Sequence, residues 1–173
     1  PVAFKEGKGC RLYDYDGKEY IDCGSGIAVN IFGVNDEEWK SAVIAQLNNI
    51  QHTSNLYYTE PQARLARMLC EKTGAGKVFF GNSGAEANEC AIKAARKYGE
   101  LHGGEHKKQI ITLKDSFHGR TIATLAATGQ EAFHKYYGPF PEGFVYAEPT
   151  IEGVENCFNE NTCAVMIEVI QGE

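Results

Sequence analysis

The sequence is short of several things that would direct its reading. No apolar run approaches the roughly 18 residues of a membrane span, and Pro1 to Gly7 lack the basic-then-apolar layout of an export signal. The expectation is a soluble protein with no membrane partner. Net charge is −6, and the 17 lysines and arginines are scattered along the chain. The basic stripe that a nucleic-acid partner requires is missing. Six cysteines include no C-x-x-C pair, and their spacings of 13, 47, 20, 67 and 6 match neither a zinc finger nor a compact disulfide framework. They are expected to be reduced thiols in a cytoplasmic protein. Neither G-x-G-x-x-G nor G-K-[ST] occurs, so a dinucleotide fingerprint and a Walker A loop are both excluded. No internal repeat or low-complexity stretch is visible.

What is present is an ordinary globular composition: 173 residues, 43% apolar and 23% charged. That is enough to bury a core and too apolar for disorder. The chain opens on Pro1 without a methionine and stops just after an apolar run. It is expected to be a piece of a longer protein.

Two short segments, Gly9–Tyr15 and Lys18–Asp22, flank Asp16-Gly17, the dipeptide that favours a two-residue hairpin turn. The glycine-bounded stretch Ile27–Asn30 is too short for a helix. Asp36 should cap a helix with apolar positions at Trp39, Val43, Leu47 and Ile50. Thr59-Glu60-Pro61-Gln62 has the form of a capping box, and Gly74 should end the helix that follows. Lys77–Phe80 reads as a strand. A long helix after Ser83 should turn Ala87, Ala91, Ala94, Tyr98 and Leu101 inward, leave Lys93, Arg96 and Lys97 toward solvent and stop at Gly103-Gly104. Ile110–Leu113, Phe144–Ala147 and Ala164–Ile170 read as further strands, the last a continuous apolar run suited to a parallel sheet covered on both faces. The alternation predicts an α/β domain with a mostly parallel, doubly wound sheet beginning near residue 52.

The densest chemistry lies at Phe80–Asn88. Two glycines and a small hydroxyl make a tight turn into a helix whose first N–H groups and positive dipole end favour an anion, phosphate above all. The plainer reading, equally open from these residues alone, is that Ser83 caps the helix and the glycines turn the chain. A second loop, Asp115–Thr121, follows the next strand. Ligands of open α/β sheets sit beyond the carboxyl ends of the strands, so this loop should lie beside the cradle. Phe117 offers a flat ring to stack on, Gly119 allows a close approach, and Arg120 offers a fork for a carboxylate.

Asn82–Glu89, Phe117–Thr121 and the stretch from Glu168 to Gln171-Gly172-Glu173 together resemble the class III, fold-type I aminotransferases, which use pyridoxal phosphate. Gly26–Asn30 and Ser54–Gln62 most resemble the branch that acts on N2-acetylornithine in arginine biosynthesis. The resemblance runs through almost the whole chain, in order. It implies a transferase that moves the δ-amino group of N2-acetylornithine to 2-oxoglutarate, working as a homodimer. Related donors are ornithine, succinylornithine or γ-aminobutyrate. By position, Ser83, Gly84 and Ala85 would bind the cofactor phosphate, Phe117 would stack on the ring and Glu168 would stand near it. Arg120 would hold a substrate carboxylate, and Glu173 would match the glutamate that lets one pocket accept both donor and acceptor. The plainer reading of Glu168 and Glu173 is a polar strand end.

The resemblance further implies that residues 1–51 contribute to a smaller domain and that 52–173 begin the large cofactor-binding domain. It places the Schiff-base lysine downstream of Gln171-Gly172-Glu173. None of the twelve lysines present occupies that position, so no catalytic residue is assigned here and the chain alone is expected to be inactive. One departure stands out. The family follows this glycine-bounded turn with His-x-His-Pro, where this chain has Gly33-Val34-Asn35-Asp36; a local change in the dimer contact is expected and the fold should be unaffected.

Two other readings compete with this one. His102-Gly103-Gly104-Glu105-His106 has the H-x-x-E-H spacing of an inverted zinc-protease motif, but that motif needs an unbroken helix and the two glycines interrupt it, so no metal site is expected. A non-enzymatic phosphate-binding module would need only the cradle. His118, next to Phe117, is expected to act through a neighbour at most.

Overall fold

The structure is a computed structural model that describes residues 1–172; Glu173 lies outside the described residues. The chain forms two units, Pro1–Glu71 and the remainder from Lys72. Among the described residues no helix is long and apolar enough to cross a membrane.

The first unit opens with a three-stranded antiparallel sheet in the order β1-β2-β3: β1 (Phe4–Lys8), β2 (Arg11–Asp14) and β3 (Glu19–Ile21). The hairpin around Asp16-Gly17 forms, with a turn one residue longer than expected. Gly17 N–H donates to Asp14 O at 3.1 Å, and Asp14 N–H donates to Lys18 O at 3.2 Å. Only Gly17 takes a positive φ, +80°. This is a type I turn closed by a left-handed glycine rather than the two-residue turn. The reason is Asp14: its Oδ1 accepts from the amides of Asp16 (3.0 Å) and Lys18 (2.9 Å), which favours the longer loop. Those amide bonds, that of Lys18 foremost, hold the Asp14 carboxyl below the usual carboxylate range. The pairing of β1, whose alternation is weak, was not legible in the sequence.

The stretch Ser25–Ala28 makes one turn, α1, in which Ser25, Gly26, Ile27 and Ala28 all have positive φ. α2 (Glu37–Asn49) is capped by Asp36, whose Oδ1 accepts from Trp39 N–H at 2.8 Å. α3 (Glu60–Thr73) ends at Gly74, left-handed at φ +75°, as the sequence predicts for a residue just past a helix.

The second unit is built on a parallel sheet in the order β5-β4-β6: β4 (Gln109–Leu113), β5 (Phe144–Ala147) and β6 (Thr162–Val165). α4 (Gly84–Gly103) packs against β4 and β6, but through Ile92, Ala95 and Gly99. The expected face is corrected: Ala87, Ala91, Ala94, Tyr98 and Leu101 are exposed, and the stripe that meets the sheet is the neighbouring one, where Gly99 allows close approach to Cys163. α5 (Ile122–Ala127) and α6 (Glu131–His134) lead from β4 to β5, and α7 (Ile151–Cys157) leads from β5 to β6. The core joins Ile92 of α4, Ile110 of β4 and Ala127 of α5, with Phe144, Ala164 and Met166 packed around them. Burial of each isoleucine contributes about 2 kcal/mol. β4 is central, with β5, reached directly from it, on one side and β6, reached from β5, on the other. The loop after Leu113 emerges at the carboxyl edge of the sheet, where ligands of such sheets sit.

Two expected strands are corrected. Lys77–Phe80 is not a strand: no described strand supplies the hydrogen-bonding partner that an extended segment needs to become one. The apolar run at Ala164–Ile170 is a strand only to Val165. Met166 N–H still reaches Ile111 O at 2.8 Å, after which the chain leaves the ladder and Val169 and Ile170 are exposed. β6 starts earlier than expected, at Thr162, because Thr162 and Gln109 are locked together by a side-chain bond of 3.0 Å. The short helices α5 to α7 went unread: each is too brief for periodicity to show.

Candidate functional site

The site is built from the start of α4, the loop after β4 and the segment after β6. Ser83 has extended backbone torsions and its Oγ accepts from Glu86 N–H at 3.2 Å, the geometry of an N-cap. The Glu86 carboxylate turns back to accept from Asn82 N–H, so the turn is braced from both sides. A helix has no acceptor of its own for its first amides, and Ser83 satisfies only that of Glu86. The amides of Gly84 and Ala85 remain for a ligand. A Cβ placed on Gly84 would meet nothing within 4 Å, so the mouth of the turn is open.

The loop Asp115–Thr121 lies against this turn, as the sequence led us to expect. Gly119 is the point of closest approach: a Cβ there would stand 2.9 Å from Ala85 Cβ and 2.6 Å from Thr124 Oγ1. Its φ of +133° is likewise one that side chains rarely adopt. On either side of Gly119, Asn88 Nδ2 donates to His118 O at 2.8 Å, and Thr121 Oγ1 donates to Glu89 Oε1 at 2.5 Å. Thr121 also caps α5 in a reciprocal box with Thr124. Thr128 Oγ1 accepts from His118 N–H at 3.0 Å.

Phe117 is half-buried, its ring edge-on to Phe133 with centroids 6.0 Å apart. Its N–H donates to Glu168 Oε2 at 2.9 Å. The Arg120 guanidinium lies over the rings of Phe133 (4.9 Å) and Phe117 (5.7 Å), and among the described residues it has no carboxylate partner. Two rings steady the fork, and Arg120 lines a cavity of about 440 Å³ together with Leu125, Tyr136 and Tyr137. Ser83, Gly84, Ala85, Phe117, Arg120 and Glu168 are therefore brought into one region. Glu173 lies outside the described residues.

His118 is 3% exposed and its Nε2 has no partner. Burial pushes its pKa down, and the nearby Glu168 carboxylate opposes that shift without cancelling it. The imidazole is thus kept neutral. Asn88, Glu89 and Phe133 have no role legible in the sequence: their contacts span 13 to 32 residues, and the only signal was the place of Asn88 and Glu89 in the motif, about one and a half turns after Ser83. His102, of the H-x-x-E-H run, stacks on Tyr98 at 4.1 Å and α4 ends at the next residue, so the two histidines do not share a helical face.

A family profile described as aminotransferase class-III matches residues 1–173. The chain belongs to the class III aminotransferases. It is 55% identical over 174 residues to an acetylornithine aminotransferase of Wolinella succinogenes, across 99% of this chain and 44% of that protein. Similarity to a succinylornithine transaminase of Photorhabdus laumondii is 46% over 167 residues, across 96% of this chain and 42% of the relative. Among solved structures, an ornithine aminotransferase from Toxoplasma gondii, described with partial occupancy of PLP at its active site, superposes with a TM-score of 0.93 at 27% identity, over 99% of this chain and 42% of that one. A transaminase from the marine bacterium Virgibacillus gives 0.89 at 29% identity, with the same coverage. The fold of this class III aminotransferase chain is therefore the fold-type I architecture expected from its motifs, and the chain spans less than half the length of these relatives.

Proposed function

We propose that this chain is the part of a pyridoxal-phosphate-dependent aminotransferase that holds the cofactor phosphate and reads a substrate carboxylate. The observation that carries the proposal is the contact of Gly119 with Ala85, which sets a turn with free amides directly beside a loop carrying an aromatic ring and an unpaired arginine.

The residues fit the cofactor. The amides of Gly84 and Ala85, with Ser83, would hold the phosphate at the positive end of α4, and Gly84 leaves room for it. Phe117 would cover the ring, with Glu168 holding the Phe117 amide and so standing close by. When bound, the cofactor supplies the electron sink that amino-group transfer requires. Arg120, steadied on two rings, would orient a substrate carboxylate through paired hydrogen bonds, with Glu173 as the further residue that discriminates donor from acceptor.

The donor we favour is N2-acetylornithine, its δ-amino group passing to 2-oxoglutarate. The 55% identity to a relative of that name supports this choice. The succinylornithine transaminase at 46% keeps succinylornithine as the second reading, with ornithine and γ-aminobutyrate behind it. We further propose a homodimer in which residues 1–51 belong to a small domain and 52–173 open the large one. Six free thiols fit a reducing cytoplasm.

Kinetics of the full-length protein with a panel of ω-amino donors and 2-oxoglutarate, following glutamate formation, tests the proposal. The highest kcat/KM should be with N2-acetylornithine. A higher value with succinylornithine would move the assignment to the second reading, and no transamination with any donor would refute it.

A further inference from the structure

Ala85, Asn88, Glu89 and Ile92 recur at intervals of three, one and three and so share one stripe of α4. One of them faces the core and three face the loop after β4. Ile92 is in the core, Ala85 meets Gly119, Asn88 holds His118 O and Glu89 holds the Thr121 hydroxyl. The stripe therefore grips the loop on both sides of Gly119, one helical turn, about 5 Å, from the anion cradle.

The loop has no regular secondary structure between Lys114 and Arg120 beyond a turn, so side-chain anchors decide where Phe117 and Arg120 stand. Ser116 Oγ donates to Leu113 O at 2.6 Å and fixes the loop to β4. Glu168 fixes it to the segment after β6. Thr128 fixes it to the end of α5. Among the described residues, Asn88 and Glu89 supply the hydrogen bonds that join the loop to α4, the helix that carries the cradle.

We propose that Asn88 and Glu89 are positioning residues that set the distance between the cradle and the Phe117–Arg120 loop. The inference rests on the reading of the cradle as the site of the cofactor phosphate. Pyridoxal phosphate is a flat ring joined to its phosphate by a short arm, so its two ends must be met at a fixed separation. A helix amide and a loop aromatic keep that separation only if helix and loop move as one body. Asn88 does this without a charge, through a carbonyl that is otherwise buried and unpaired. Glu89 does it through a charge-assisted bond to a hydroxyl that also caps α5, so the start of α5 is held to α4 as well.

The test compares a ligand that uses one end of the site with a ligand that uses both. Inorganic phosphate needs the cradle alone; pyridoxal phosphate needs cradle and loop. In the full-length enzyme freed of cofactor, Asn88→Ala should leave the calorimetric affinity for inorganic phosphate within about twofold of wild type. It should weaken pyridoxal phosphate about tenfold, the loss expected when a buried carbonyl forfeits its donor. The visible circular dichroism of the bound cofactor should shrink, because the ring is no longer held in one orientation. Glu89→Gln, isosteric and still able to accept from Thr121, should reproduce the pattern at about threefold, and it serves where Asn88→Ala yields too little folded protein. Equal losses for both ligands would overturn the proposal by making the two residues supports of the cradle itself, and unchanged affinity and dichroism would overturn it outright. Cofactor-free wild-type enzyme whose initial rate of pyridoxal phosphate binding is not slowed by saturating inorganic phosphate would instead refute the cradle reading, and that arm involves neither variant.

Discussion

The amide of Phe117 donates to the carboxylate of Glu168 at 2.9 Å across 51 residues of sequence, tying the first aromatic of the loop after β4 to the segment after β6. The contact is half-buried, so losing the acceptor leaves a donor that water reaches poorly. Glu168→Ala should destabilise the full-length protein by about 1–3 kcal/mol, the cost of an unmet buried donor. Glu168→Gln retains an acceptor oxygen and should cost less than about 1 kcal/mol. Urea unfolding of the two variants checks this, and equal losses would show that the hydrogen bond contributes nothing specific.

His118 gives a pH dependence of definite sign. Its folded pKa lies below the ordinary 6.5 because burial disfavours the charged ring. The unfolded chain therefore binds the proton more readily, and stability rises with pH through this window. The contribution is fully present above 6.5 and is lost as pH falls toward the depressed folded value. Replacing the imidazole by a polar side chain that does not take up a proton, His118→Gln, should flatten the fall in thermal midpoint on acidification below pH 6.5 relative to wild type. Parallel profiles for the two proteins would contradict the assignment.

Gly119 has no room for a side chain. A methyl there would stand 2.6 Å from Thr124 Oγ1 and 2.9 Å from Ala85 Cβ, at a φ of +133°. Gly119→Ala should cost about 1–3 kcal/mol through overpacking, with more added by the backbone. Because the clash separates the loop from the cradle, cofactor affinity should fall along with the denaturation midpoint. A variant of normal affinity would show that the contact does not matter to binding.

Arg120 is held over two rings with its fork unpaired. Arg120→Lys keeps the charge and loses the second parallel hydrogen bond. The KM for the carboxylate-bearing donor should rise about tenfold, near one lost charge-assisted bond, with a larger rise for Arg120→Ala. An unchanged KM in steady-state assays would remove Arg120 from the substrate pocket.

The parts of the site legible in the sequence are those whose chemistry is local. Ser83 could be read as a cap because a small hydroxyl stands directly before a long helix, and Gly119 as a close approach because glycine beside an aromatic and an arginine needs a reason. The parallel strands at Ile110–Leu113 and Phe144–Ala147 announced themselves through runs of branched and aromatic residues. Lys77–Phe80 has a similar composition and failed, since a strand also needs a partner and composition cannot supply one. The hairpin loop was misjudged by one residue because Asp14, outside the turn dipeptide, bonds two amides inside it. Asn88 and Glu89 lie within the Asn82–Glu89 motif but carry no legible role there, and Phe133 carries none either, because the significance of all three lies in partners that only the fold brings near.

The central claim is that the turn at Ser83–Ala85 receives a phosphate, and Gly84 offers the most direct test. A side chain there meets nothing within 4 Å, and an acidic residue in the first turn of a helix is favourable to the helix. Gly84→Asp should therefore leave the thermal midpoint of the cofactor-free full-length enzyme unchanged or slightly raised. The new carboxylate would face the phosphate: unit charges roughly 6 Å apart at an effective dielectric of about 20 repel by about 3 kcal/mol, on the order of 100-fold in affinity. Measured side by side, pyridoxal phosphate should bind Gly84→Asp on the order of 100-fold more weakly than wild type, while pyridoxal, which lacks the phosphate, binds both alike. Equal weakening of the two ligands, or unchanged affinity for pyridoxal phosphate, would contradict the assignment.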